Sequence, residues 1–139
     1  KYTKYTYGVE PTDASKDISK KHKVFKCYFN KANAKIDLIQ VPGALEIPTA
    51  IKFASNHFSG FVALGCVIRG ETTHYETVTT ESSRALSILG LNGVCIGNGI
   101  LTVENYEQAI TRADPLIQNK GGGAAIAALS LLELKNKFN

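Results

Sequence analysis

At 139 residues the chain is long enough for one core and too short for two, so a single domain over 1–139 is expected. Its net charge of +4 is uneven: nine of the sixteen basic residues stand in 1–35 against Glu10, Asp13 and Asp17, and the other seven face nine acids. That basic end, with Tyr2, Tyr5 and Tyr7 interleaved, is too short a patch for nucleic-acid recognition, and no nucleic-acid partner is expected.

Cys27, Cys66 and Cys95 lack metal-ligand spacing, and two of them lie in apolar strand patterns, which reads as reduced packing thiols in a cytoplasmic protein. The longest apolar stretch, Ala124–Leu132, falls far short of the roughly 20 residues of a membrane span. Nothing resembles a signal peptide, and a start at Lys1 rather than Met points to a trimmed end.

Residues 1–30 are poorly legible. Val24–Phe29 is strand-like, but Lys23 and Lys26 make it a poor central strand. From residue 36 the chain alternates. Ile36–Val41 reads as a strand ended by Pro42-Gly43, and Pro48–Phe58 as an amphipathic helix with Ile51, Phe53, Ala54 and Phe58 apolar. Phe61–Ile68 is a continuous apolar run between Ser59-Gly60 and Gly70, the mark of a buried parallel strand. Thr73 and Glu76 have the T-x-x-E spacing of a capping box, which starts a helix running to about Leu91. Asn92-Gly93 supplies a turn into a strand over Gly93–Gly97. A helix over Thr102–Ala113 is stopped by Asp114-Pro115, and a last helix runs from Asn119 to Lys137. Strands separated by helices of this length imply crossovers, a parallel sheet covered on both faces, and hence the α/β class.

Such sheets bind ligands beyond the carboxyl ends of their strands. Three exits are expected on one rim: Val41–Glu46, Val67–Thr72 and Ile96–Gly99. Gly70, Glu71 and Thr72 precede a helix N-terminus, whose unpaired N–H groups and dipole favour a phosphate. His74, in the first turn, has the near-neutral pKa of a proton carrier. Glu46 and Arg112 occupy helix ends where a carboxylate and a cation are placed in any protein. Lys120, at a helix start, opposes the dipole and points to an anionic partner, while Gly121-Gly122-Gly123 points to close backbone packing or a subunit contact. Phosphate-loop, dinucleotide, serine-elbow and metal-cluster motifs are absent. The residues by themselves give a pocket without a cofactor, suited to a phosphorylated small molecule.

Four motifs in order carry a resemblance: Val41-Pro42-Gly43-Ala44-Leu45-Glu46-Ile47-Pro48, Gly65 to His74, Gly99 to Asn105 with Gln108-Ala109 and Arg112-Ala113, and Asn119-Lys120-Gly121. Over about residues 36–135 the chain resembles the 6,7-dimethyl-8-ribityllumazine synthases, transferases of the penultimate step of riboflavin biosynthesis. The resemblance implies a flavodoxin-like three-layer α/β/α subunit. It implies condensation of 5-amino-6-(D-ribitylamino)uracil with 3,4-dihydroxy-2-butanone 4-phosphate, with no cofactor and no metal. Carried over by position, Ala44 and Glu46 contact the ribityl chain and Val67 and Ile68 line the pyrimidine pocket. Glu71 and Thr72 meet the phosphate, and His74 is the acid/base. A neighbouring subunit lends Asn98, Arg112 and Lys120, so the active form is a homo-oligomer.

Two departures stand out. The family's first strand ends in an Arg-Phe-Asn-like turn well upstream of the Val-Pro-Gly turn, whereas Phe29-Asn30 lies only eleven residues before Val41. Gly123 also stands where the family has an acid that pairs with the arginine. A catalytically silent flavin-binding module and a shell-forming protein share much of this pattern, although a silent module has no need to keep both His74 and Arg112. Asp114-Pro115-Leu116-Ile117 replaces the Gly/Lys-rich turn of shell-forming relatives, which favours a homopentamer with Leu116 and Ile117 packed locally.

Overall fold

The computed structural model describes residues 2–7 and 35–138. Four strands form one parallel sheet: β1 (Tyr2–Tyr7), β2 (Lys35–Gln40), β3 (Gly60–Ile68) and β4 (Cys95–Val103), in the order β2-β1-β3-β4. The helices are α1 (Glu46–Ala54), α2 (His74–Leu91), α3 (Tyr106–Ala113) and α4 (Lys120–Phe138). This is the α/β class that the alternation of elements implied.

Each face of the sheet has its own core because successive β3 side chains point to opposite sides. Val62 and Leu64 pack on Ala124, Ala125 and Ala128 of α4. Phe61 and Ala63 face the other way, against Ala44, Ile47, Ile51 and Leu86, which come from α1, the turn before it and α2. Helices thus cover both faces. Ser82 is the single polar residue buried with these apolar ones among the described residues, and its hydroxyl donates to the Thr79 carbonyl.

The alanine face of α4 lets that helix approach the sheet closely, and Gly97 accepts the approach. At the start of α4, Asn119 takes a left-handed φ of 46° and its side chain accepts from the Gly122 N–H at 3.1 Å. A Cβ on Gly122 would collide with that amide, so this glycine is there for close packing.

Several expectations are corrected. The basic N-terminal stretch holds a strand, Tyr2–Tyr7, and that strand sits between β2 and β3, where two neighbours satisfy its backbone despite its polar composition. The strand-like Val24–Phe29 lies outside the described residues. β4 runs on to Val103, so Thr102 and Val103 belong to a strand and α3 starts only after Asn105, whose side chain accepts from the Gln108 N–H at 2.9 Å. In consequence Asn98, paired with Ala63, is mid-strand and not at the exit rim. α1 ends at Ala54, short of Phe58. Leu116 is 94% and Ile117 62% exposed, so they do not pack locally within the chain: the turn after Pro115 carries them outward, away from both cores.

Candidate active site

The chain runs from β1 outward to β2, then returns past β1 to β3, so the strand order reverses between β1 and β3. Ligands in open parallel sheets bind at that reversal, beyond the carboxyl ends of the strands. β1 ends at Tyr7, level with Gln40 and Leu64, whereas β3 continues four residues further to Ile68. The turn after β2 and the end of β3 therefore stand on either side of the line of β1.

A cleft of about 290 Å³ occupies this position, lined by Gly43, Ala44, Leu45, Glu46, Cys66, Val67, His74 and Val78. Each wall has a local reason. Pro42-Gly43 breaks β2, and the Glu46 N–H donates to the Gly43 carbonyl at 3.3 Å, so the chain turns into α1 with Glu46 in the first helical turn. A carboxylate is favoured there by the helix dipole. Across the cleft, Gly70 breaks β3 and α2 opens at His74, which is exposed. The floor between them is apolar. The cleft thus presents a carboxylate and an imidazole from two different helix starts over an apolar base, a set able to orient hydroxyl groups and to carry a proton.

Of the residues singled out in the sequence, Ala44, Glu46, Val67 and His74 meet in this cleft. Ile68 follows directly in β3, and Glu71 and Thr72 stand exposed in the turn before α2. Asn98, Arg112 and Lys120 are not in it: Asn98 lies mid-β4, Arg112 in the last turn of α3 and Lys120 at the first residue of α4. Gly43, Leu45, Cys66 and Val78 were missed. Cys66 and Val78 were legible as neighbours, Cys66 preceding Val67 and Val78 standing one helical turn after His74.

The expected capping box does not form. Thr73 is the N-cap with helical φ and ψ and makes no side-chain cap bond; the Thr72 hydroxyl instead accepts from the His74 N–H at 3.4 Å. The Glu76 N–H bonds the Thr73 carbonyl at 3.1 Å rather than the Thr73 hydroxyl, and the Glu76 carboxylate pairs with the Arg69 guanidinium. The same guanidinium donates through Nε to Glu104 at 2.6 Å and lies 4.1 Å from the centre of the Tyr75 ring. The hydrogen bond from Arg69 holds Glu76 below the usual carboxylate range, and the two carboxylates raise the guanidinium further above its already high value. Sequence reasoning missed this cluster. Its signal was opposite charge at the exits of neighbouring strands, since Ile68 pairs with Val103 and the next residues are Arg69 and Glu104.

Among the described residues no group of three or more His, Cys, Asp or Glu could hold a metal ion, and no helix is long and apolar enough to cross a membrane. Residues 19–136 match the family model described as 6,7-dimethyl-8-ribityllumazine synthase. The chain belongs to the lumazine synthase family. Three relatives carry that same name. The protein of Jannaschia sp. (strain CCS1) is 57% identical over 109 residues, 77% of this chain and 61% of the relative. That of Zymomonas mobilis is 55% identical over 111 residues, 78% of this chain and 80% of the relative. That of Novosphingobium aromaticivorans is 53% identical over 116 residues, 82% and 84%. The matched stretch thus spans less than two thirds of the Jannaschia lumazine synthase and about four fifths of the other two. Residues 19–136, matched by the family model, contain every residue lining the cleft, whereas β1 precedes them.

Proposed function

We propose that this member of the lumazine synthase family condenses 5-amino-6-(D-ribitylamino)uracil with 3,4-dihydroxy-2-butanone 4-phosphate to give 6,7-dimethyl-8-ribityllumazine, phosphate and two molecules of water. The observation that carries the reading is the meeting of Glu46 and His74, from two helix starts, in one cleft at the reversal of strand order. Glu46 accepts hydroxyl protons of the ribityl chain beside Ala44, and Val67 and Ile68 give the pyrimidine an apolar wall. The phosphate sits against Glu71, Thr72 and the start of α2, where backbone N–H groups and the dipole favour an anion. His74 moves protons between the condensing amine, the carbonyl and the departing oxygens.

Asn98, Arg112 and Lys120 stand away from the cleft of their own chain and complete the site of the next subunit in a homopentamer. A head-to-tail ring is the symmetry that lets every subunit lend the same residues to its neighbour. The exposed pair Leu116 and Ile117 is then available to contacts between subunits. The protein acts in the cytoplasm on small molecules.

The test is direct: the two substrates are mixed with purified protein and the lumazine chromophore is followed against a protein-free control. Acceleration is expected, and its absence would leave a binding module. Light scattering at micromolar concentration gives a mass near five chains; an active monomer would remove the shared site, and a shell would replace the pentamer.

A further inference from the structure

We infer that Arg69, which lies outside the cleft, is a positioning residue that locks the helix start carrying His74 to the strand exit that launches α3. This rests on the reading of the cleft given above. Arg69 is the residue that follows β3, and its own N–H donates to the Val103 carbonyl at 2.9 Å, extending the β3–β4 ladder by one bond. From that fixed backbone the side chain makes three contacts with two further elements. It donates to Glu76 in the first turn of α2, stacks on Tyr75 next to His74, and donates to Glu104 at 2.6 Å beyond β4. Glu104 is itself held, since its N–H donates to the Gln108 side chain at 3.0 Å, in the turn that Asn105 caps. One connected path therefore joins His74 to α3, the helix that bears Arg112.

A lone exposed ion pair contributes little, and the Arg69, Glu76 and Glu104 side chains are each more than a third exposed. The arrangement differs from such a pair in two ways. A planar fork meets two carboxylates from different elements while its face rests on an aromatic ring, so the side chain is fixed in both direction and plane. The start of α2 also has no side-chain cap from Thr73, and the fork grips it through Glu76 in its first turn. The segment held this way, 70–74, is the one that offers N–H groups to an anion and presents His74. Arg69 thus acts on the reaction through the position of that segment.

The experiment compares Arg69→Met, Arg69→Lys and Glu104→Gln with the wild type in kcat and KM for each substrate, together with hydrogen exchange of a peptide covering 70–78. Arg69→Met should lower kcat/KM for the phosphorylated substrate by about ten- to a hundredfold, the scale of a small misplacement of reacting groups, and leave KM for the ribityl pyrimidine within about twofold. Arg69→Lys keeps the charge but cannot reach both carboxylates, and should recover only part. Exchange of 70–78 should quicken in Arg69→Met. Wild-type kinetics with wild-type exchange, or a KM raised equally for both substrates, would overturn the inference. Should Arg69→Met fail to fold, Glu104→Gln decides: it alters one arm of the fork, and an unchanged substrate ratio and exchange rate would equally overturn the role. A wild type without lumazine formation would refute the enzymatic reading, while the exchange rates would still report whether Arg69 holds the segment.

Discussion

Gly97 of β4 and Ala124 of α4 meet backbone to backbone: a Cβ at position 97 would fall within 3.0 Å of the Ala124 carbonyl carbon and oxygen. A flexible side chain can yield to a new methyl group, but a helix carbonyl packed on a strand cannot do so without moving the helix. Gly97→Ala should therefore destabilise the protein by about 1–3 kcal/mol or more. Gly123→Ala, a helical site where a new Cβ meets nothing within 4 Å, should stabilise it by up to about 1 kcal/mol. Urea midpoints of the two variants check the opposite signs; equal shifts would refute the packing argument.

His74→Ala should lower turnover while largely sparing substrate binding. General acid–base assistance is worth about 10²–10⁴-fold in typical enzymes. Steady-state rates with both substrates saturating give the answer. A variant as fast as wild type would take His74 out of the mechanism.

Arg112→Ala should raise KM for the phosphorylated butanone much more than for the pyrimidine, because a guanidinium fork matches a phosphate dianion. Arg112→Lys should recover part of the loss. Its place in the last turn of α3, away from its own cleft, further predicts complementation. Mixing Arg112→Ala with His74→Ala subunits should regenerate some sites with both residues intact. Activity no higher than the sum of the separate variants after subunit mixing would argue against sharing.

The two described thiols should react differently. Cys66 lines the cleft, whereas Cys95 is buried and burial pushes its thiol pKa up, with Lys135 pulling weakly the other way. Thiolate is the reactive form, so iodoacetamide near pH 7 should label Cys66 first and Cys95 only as the pH is raised. Substrate or product should slow labelling of Cys66 alone. Peptide mapping by mass spectrometry follows both sites, and protection spread equally over the two would place the ligand elsewhere.

What the sequence revealed follows from where its signals are local. The apolar run at 61–68 and the Pro-Gly break at 42–43 are decided by neighbouring residues, and β3 and the start of α1 follow from them. Half of the cleft was legible for the same reason, since Ala44, Glu46, Val67 and His74 each stand at an element's end. Tyr2–Tyr7 was not, because alternating tyrosine, threonine and lysine reads as solvated unless two partner strands are known. Thr73 and Glu76 had the right spacing for a capping box, but the Glu76 N–H bonds the Thr73 carbonyl and its carboxylate pairs with Arg69, seven residues earlier. Asn98 was misplaced because its flanking glycines look like a turn, although Gly97 and Gly99 serve the packing of α4 and of Leu64 on β4. Long-range pairing and close packing leave no local mark.

The place of β1 bears on how the protein fails. Losing an edge strand removes one ladder, but losing Tyr2–Tyr7 removes two and bares two raw edges, Lys35–Gln40 and the apolar Gly60–Leu64. Bare strand edges template pairing between molecules, and Phe61-Val62-Ala63-Leu64 carries no charge or proline to discourage it. Loss of this one strand would thus turn out aggregates rather than slightly weakened subunits.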